Sequence, residues 1–87
     1  MKIEKLTEDV FKVTLSGSVT THHEVTVTDI AHHHLTSGQA TKKELLDFSF
    51  KFLLDREPNT SILSKFDITV ISQYFPEYES KLLQKLS

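Results

Sequence analysis

The chain has no cysteine, which excludes disulfides, thiolate metal sites and cysteine nucleophiles. The absence fits a reducing compartment. Glycine occurs only twice, at Gly17 and Gly38, too rarely to build a phosphate-cradling loop. No G-x-S-x-G elbow frames a serine, so nucleophilic catalysis has no support. No catalytic residue and no cofactor is expected, and the chain reads as a non-enzyme. No apolar run approaches the ~18–20 residues that span a bilayer. The opening MKIEKLTEDV is charged throughout and lacks the apolar stretch of a signal peptide, so no membrane partner is expected and the expected address is the cytoplasm. On the same ground, the sequon-like Asn59-Thr60-Ser61 reads as a loop. Basic excess is missing too. Residues 1–41 carry three lysines against five carboxylates, and residues 42–87 carry seven charges of each sign. Without a basic face, nucleic-acid binding is a minor alternative.

What is present defines one small domain of 87 residues. Apolar residues make up 38%, and even with the two glycines added they fall short of the ~45–50% usual for such domains. The core must therefore be concentrated in a few segments or completed by a partner chain.

Residues 1–28 read as β-rich and residues 29–87 as helical. Phe11, Val13 and Leu15 alternate with polar neighbours, and so do His23, Val25 and Val27. Ser16-Gly17-Ser18 between them is a turn signal, giving a hairpin, with residues 2–6 as a short edge strand. Thr28 or Asp29 can cap a short helix ending at Gly38. Thr41 and Glu44 have capping-box spacing, opening a helix to about Glu57. Leu45, Leu46, Phe48, Phe50, Phe52, Leu53 and Leu54 cover most of that helix's circumference, so it is either surrounded or partly an interface. Pro58 stops it. Residues 59–66 read as a connector anchored by Ile62, Leu63 and Phe66. Over residues 67–75, β-branched content favours a strand. Asp67 as N-cap, with a Phe66–Ile71 staple, favours a helix, and the helix is preferred. Pro76 suits the start of a last amphipathic helix carrying Tyr78, Leu82 and Leu86.

Two clusters carry potential chemistry. All five histidines lie between residues 22 and 34. On a helix, His32, His33 and His34 point about 100° apart, so no two can clamp one ion. His22 and Glu24 share the wet face of a strand, and one of the triplet could complete a two-histidine, one-carboxylate set. Protonating all five histidines would move the net charge from -2 to +3. His23 stands in the apolar register and should be half-buried with a hydrogen-bond partner. Arg56 falls at the end of the central helix and can fork onto Asp67, Glu77 or Glu79.

Residues 49–58 (SFKFLLDREP), Ser61-Ile62-Leu63 and residues 66–78 (FDITVISQYFPEY) together resemble the C-terminal signature of a family of small, uncharacterised bacterial proteins. The resemblance covers about the last half of the chain and implies no activity. The histidines lie outside it.

The expected architecture is α+β, with an N-terminal hairpin or small antiparallel sheet packed on three to four helices. The expected function is contact with a protein partner of unknown identity, foremost a second copy forming a homodimer. Phe50, Leu54, Arg56, Tyr74, Glu77 and Tyr78 are the expected surface. The alternative is a ligand- or metal-binding regulator using His22, Glu24, His32, His33 and His34.

Overall fold

Alternation over the first third of the chain produces three strands in the computed structural model, which describes all 87 residues. They are β1 (Lys2–Lys5), β2 (Val10–Leu15) and β3 (Thr21–Thr26). Each pairs antiparallel with the next, Phe11 opposite Val25 and Val13 opposite His23. Phe11, Val13, Leu15, His23 and Val25 all face one side of the sheet and are buried. The period of two in the sequence is thus the period of burial.

Helices cover that face. Helix α1 (Asp29–Thr36) is capped by Thr28, whose side chain accepts from the Ala31 amide. It ends as expected, with Ser37 as C-cap in the left-handed conformation at φ 52° and Gly38 following as C′ at φ 77°. Helix α2 (Lys42–Leu54) opens on the expected capping box, with Thr41 and Glu44 each accepting from the other's amide. The ends of three elements meet at Lys42. Its Nζ donates to the Glu8 carbonyl at 2.9 Å and lies 3.3 Å from Asp9 Oδ1 and 2.8 Å from Asp29 Oδ1. Burial opposes its charge. The hydrogen bonds and attraction of the two aspartates outweigh that effect and hold the ammonium above its usual range. The hydrogen bond from Lys42 in turn holds the Asp29 carboxyl below the usual carboxylate range.

The remaining chain corrects the sequence reading. Residues Lys65–Asp67 form a strand, β4, parallel to β3 with Phe66 opposite Val25. The sheet order is β1-β2-β3-β4, so the expected split between a β-rich and a helical part does not hold. The helix expected over 67–75 is confined to α3 (Val70–Tyr74). The reason is burial. A strand places both Phe66 and Ile68 on the covered face, and the Ile68 amide bonds the Thr26 carbonyl at 2.9 Å. Asp67 is not an N-cap. Its Oδ1 accepts from the Thr69 amide and hydroxyl, making the turn that separates β4 from α3. The last helix, α4 (Tyr78–Leu86), begins two residues beyond Pro76.

Helix α2 lies at the centre. Leu45, Leu46, Ser49, Phe50, Phe52 and Leu53 are all buried, enclosed by the sheet, α1, α4 and the β4–α3 segment. The Tyr78 hydroxyl lies 2.6 Å from Ser49 Oγ, whose single hydrogen goes to the Leu45 carbonyl, so Tyr78 is the donor. Burial pushes the phenol up to about 12, above its ordinary value of 10.0. A raised value means the folded state favours the neutral form. That stabilisation is complete below pH 10 and is lost as pH climbs toward 12. Urea titrations of the wild type across this interval should show a fall on the order of 3 kcal/mol beyond that of Tyr78→Phe. Parallel curves for the two proteins would refute the placement of that hydroxyl.

Candidate interaction site

The end of α2 is finished by Arg56. Its guanidinium lies 3.5 Å from the centroid of the Phe52 ring, Nη1 donates to the Phe52 carbonyl at 3.0 Å, and Nε meets Glu77 Oε2 at 3.2 Å. The pair braces α2 against the start of α4. Glu77 sits below the usual carboxylate range, first because it accepts a hydrogen bond from its own amide and then through Arg56. Arg56 and Glu77 are therefore committed to each other and to Phe52, not offered to a ligand.

Beyond Pro58, a 3₁₀ turn at Asn59–Ser61 leads to β4. Two buried polar side chains hold it in place. Asn59 Nδ2 donates to the Val19 carbonyl at 2.8 Å and the Thr21 hydroxyl at 3.0 Å. Gly17 leaves room for this side chain, since a Cβ at that position would stand 2.9 Å from Asn59 Oδ1 and push the amide aside. His23, only 2% exposed, is more deeply buried than expected. Its Nδ1 lies 2.7 Å from the Leu63 carbonyl and its Nε2 lies 2.8 Å from the Thr21 hydroxyl. A carbonyl only accepts, so Nδ1 carries the hydrogen and, in the neutral ring, Nε2 accepts from Thr21. The sheet thus grips the connector from below and sets where β4 lies.

This clamp produces an apolar groove of about 230 Å³ between the end of α2, the connector, β4 and α3. Leu53, Ile62, Phe66 and Ile71 form its floor. Leu63 and Tyr74 form the rim and are 48% and 68% exposed. The volume is below the ~300–1,000 Å³ of ligand pockets and suits a side chain or two. The open edge of β4 is part of the same region. Ser64 and Ile68 bond β3 through their backbones, which leaves the backbone groups of Lys65 and Asp67 facing outward by the two-residue alternation. No other backbone or side-chain hydrogen bond occupies them.

Several expected site residues are displaced by these facts. Phe50 and Tyr78 are fully buried and cannot belong to a surface of the folded chain. Phe50 packs against His23 and Phe66, and Tyr78 against Phe52 and Phe48. Leu54 and Tyr74 are exposed. The histidines do not converge. His22 lies against the Thr14 hydroxyl at 3.1 Å, and Glu24 pairs with Lys65 at 3.5 Å. The His32 ring contacts the Ala40 carbonyl, His34 lies 3.7 Å from Glu79, and His33 is exposed. No three metal-ligating side chains come together anywhere in the chain. No helix is long and apolar enough to cross a membrane. Sequence reasoning took Leu63 for an anchor of the connector, where it is exposed instead, and missed the β4 edge. The run Leu63-Ser64-Lys65-Phe66-Asp67-Ile68 has no clean apolar–polar alternation that would have revealed the strand.

Comparisons with protein-family models, with curated proteins and with solved structures find no match to this chain.

Proposed function

We propose that the chain is a small, non-enzymatic interaction module that pairs with a second copy of itself along β4. The observation that carries this reading is the self-complementarity of Lys65-Phe66-Asp67. Two β4 strands set antiparallel about a twofold through Phe66 place Lys65 of each copy opposite Asp67 of the other. Those two residues have the outward-facing backbone groups, so each Lys65–Asp67 pair exchanges both of its amide–carbonyl hydrogen bonds. Opposite charges then stand side by side on the wet face. The exposed rims at Leu63 and Tyr74 flank the seam and supply apolar area that the hydrogen bonds alone would lack. An unpaired strand edge is an open template, and self-pairing closes it.

A charge swap tests this. Lys65→Asp puts like charges opposite each other twice and should weaken the dimer about tenfold, as should Asp67→Lys. The double variant Lys65→Asp/Asp67→Lys restores opposite pairs and should recover affinity by sedimentation equilibrium. If the double variant is no tighter than the singles, this seam is wrong.

A further inference from the structure

A second surface stands apart from the β4 edge. A broad trough of about 1160 Å³ runs between β1 and α4 across the outer side of α2. Its apolar lining includes Ile3, Phe48 and Leu86, each only partly buried against the core. Its charged lining is four lysines, Lys2, Lys43, Lys51 and Lys85, against Glu44 and Asp47. The chain as a whole has ten basic and twelve acidic residues, so everything outside the trough holds six against ten. The local charge is thus opposite in sign to that of the rest of the molecule. The acidic residues present are already engaged. Glu44 accepts from the Thr41 amide in the capping box, and Asp47 meets Lys51 at 2.9 Å. Lys43 and Lys85 are exposed and form no ion pair.

We infer that this trough docks an acidic amphipathic helix of a protein partner, its apolar side chains on Phe48, Ile3 and Leu86 and its carboxylates against Lys43 and Lys85. Size selects a helix. Two turns with side chains occupy roughly 1,000 Å³, close to the space available, and a wide trough with an apolar floor is the geometry that receives a helix face. Charge selects its composition. A basic rim around an apolar floor steers and orients an acidic partner and repels a basic one.

The test uses the full chain and a labelled synthetic peptide in which leucine and glutamate recur at helical spacing, followed by fluorescence anisotropy. Saturable binding that weakens with added salt is expected. Lys43→Glu/Lys85→Glu should weaken it by about tenfold or more, since both are exposed and neither supports the core. Ile30→Ser, at an exposed position outside the trough, should bind as the wild type does. A peptide with lysine in place of glutamate should not bind. No binding of the acidic peptide, or equal binding by the double lysine variant, overturns the proposal. Tighter, lysine-dependent binding to phosphatidylserine vesicles or to duplex DNA overturns it as well, because the anionic partner would then be of another class.

Discussion

Phe50→Ala is expected to destabilise the protein by about 3–5 kcal/mol, the range for deleting a fully buried phenylalanine. Three facts place it in that range. The ring is completely excluded from solvent. It fills the space between α2 and the sheet, with ring centroids 5.6 Å from His23 and 6.0 Å from Phe66. Its ring neighbours come from two strands, β3 and β4, so they cannot collapse into the gap without moving the sheet relative to α2. Domains of this size have only ~5–15 kcal/mol in total, so the variant should be close to half-unfolded in little denaturant. Urea unfolding followed by circular dichroism measures it. A loss under about 1 kcal/mol would mean that α2 is not the centre of the core. The sequence alone admits another reading, in which Phe50 faces a partner and its loss leaves a stable monomer. The burial of Phe50 within one chain replaces that reading with a cost in folding.

His23→Ala is expected to cost on the order of 3 kcal/mol or more, by a different route. Packing against Phe50 is lost, and the Leu63 carbonyl loses the ring hydrogen that reaches it at 2.7 Å. A buried group left without a partner costs about 1–3 kcal/mol by itself. The Thr21 hydroxyl keeps Asn59 as a donor but loses its acceptor. His23→Gln should recover part of the loss if its amide reaches Leu63, whereas His23→Leu should recover packing only. A specific consequence follows for the edge. Leu63 and Ser64 are the residues that lead into β4, so the Ala variant should raise amide exchange at residues 63–67 more than at β1. Uniform acceleration along the chain would contradict the clamp.

Much of the fold is legible in the sequence because its signals are local. The period of two over residues 10–15 and 21–26, Thr28 as a cap, and the Thr41–Glu44 capping box each depend on residues within a few positions of one another. The architecture is α+β, with the hairpin and four helices in place. What failed was non-local. Lys65-Phe66-Asp67 becomes a strand only because β3 has a free edge forty residues earlier, and three residues are too few to show a period. The choice at Phe50 was also non-local. A helix apolar on most sides can be wrapped by its own chain or by another, and its letters are the same in both cases. The histidines looked like one cluster because they are close in sequence. In space, a strand and a helix carry them to separate contacts, and only His23 enters the core.

The site followed the same division. Tyr74 and Leu54 are exposed as expected, yet the feature that gives the surface a geometry is the outward backbone of Lys65 and Asp67. The side chains of the groove can be read as apolar from their letters. Their arrangement around an open strand edge requires the crossover from β3 through α1 and α2 to β4.

The central claim is that β4 of one copy pairs with β4 of another, and the mass of the protein in solution tests it most directly. Light scattering during size-exclusion chromatography, over a range of loading concentrations up to high micromolar, should converge on twice the 10.0 kDa chain mass. Lys65→Pro, which removes an outward amide that the single chain does not use, should shift that mass toward one chain while the circular dichroism spectrum is retained. A wild-type mass of one chain at every concentration would contradict the account.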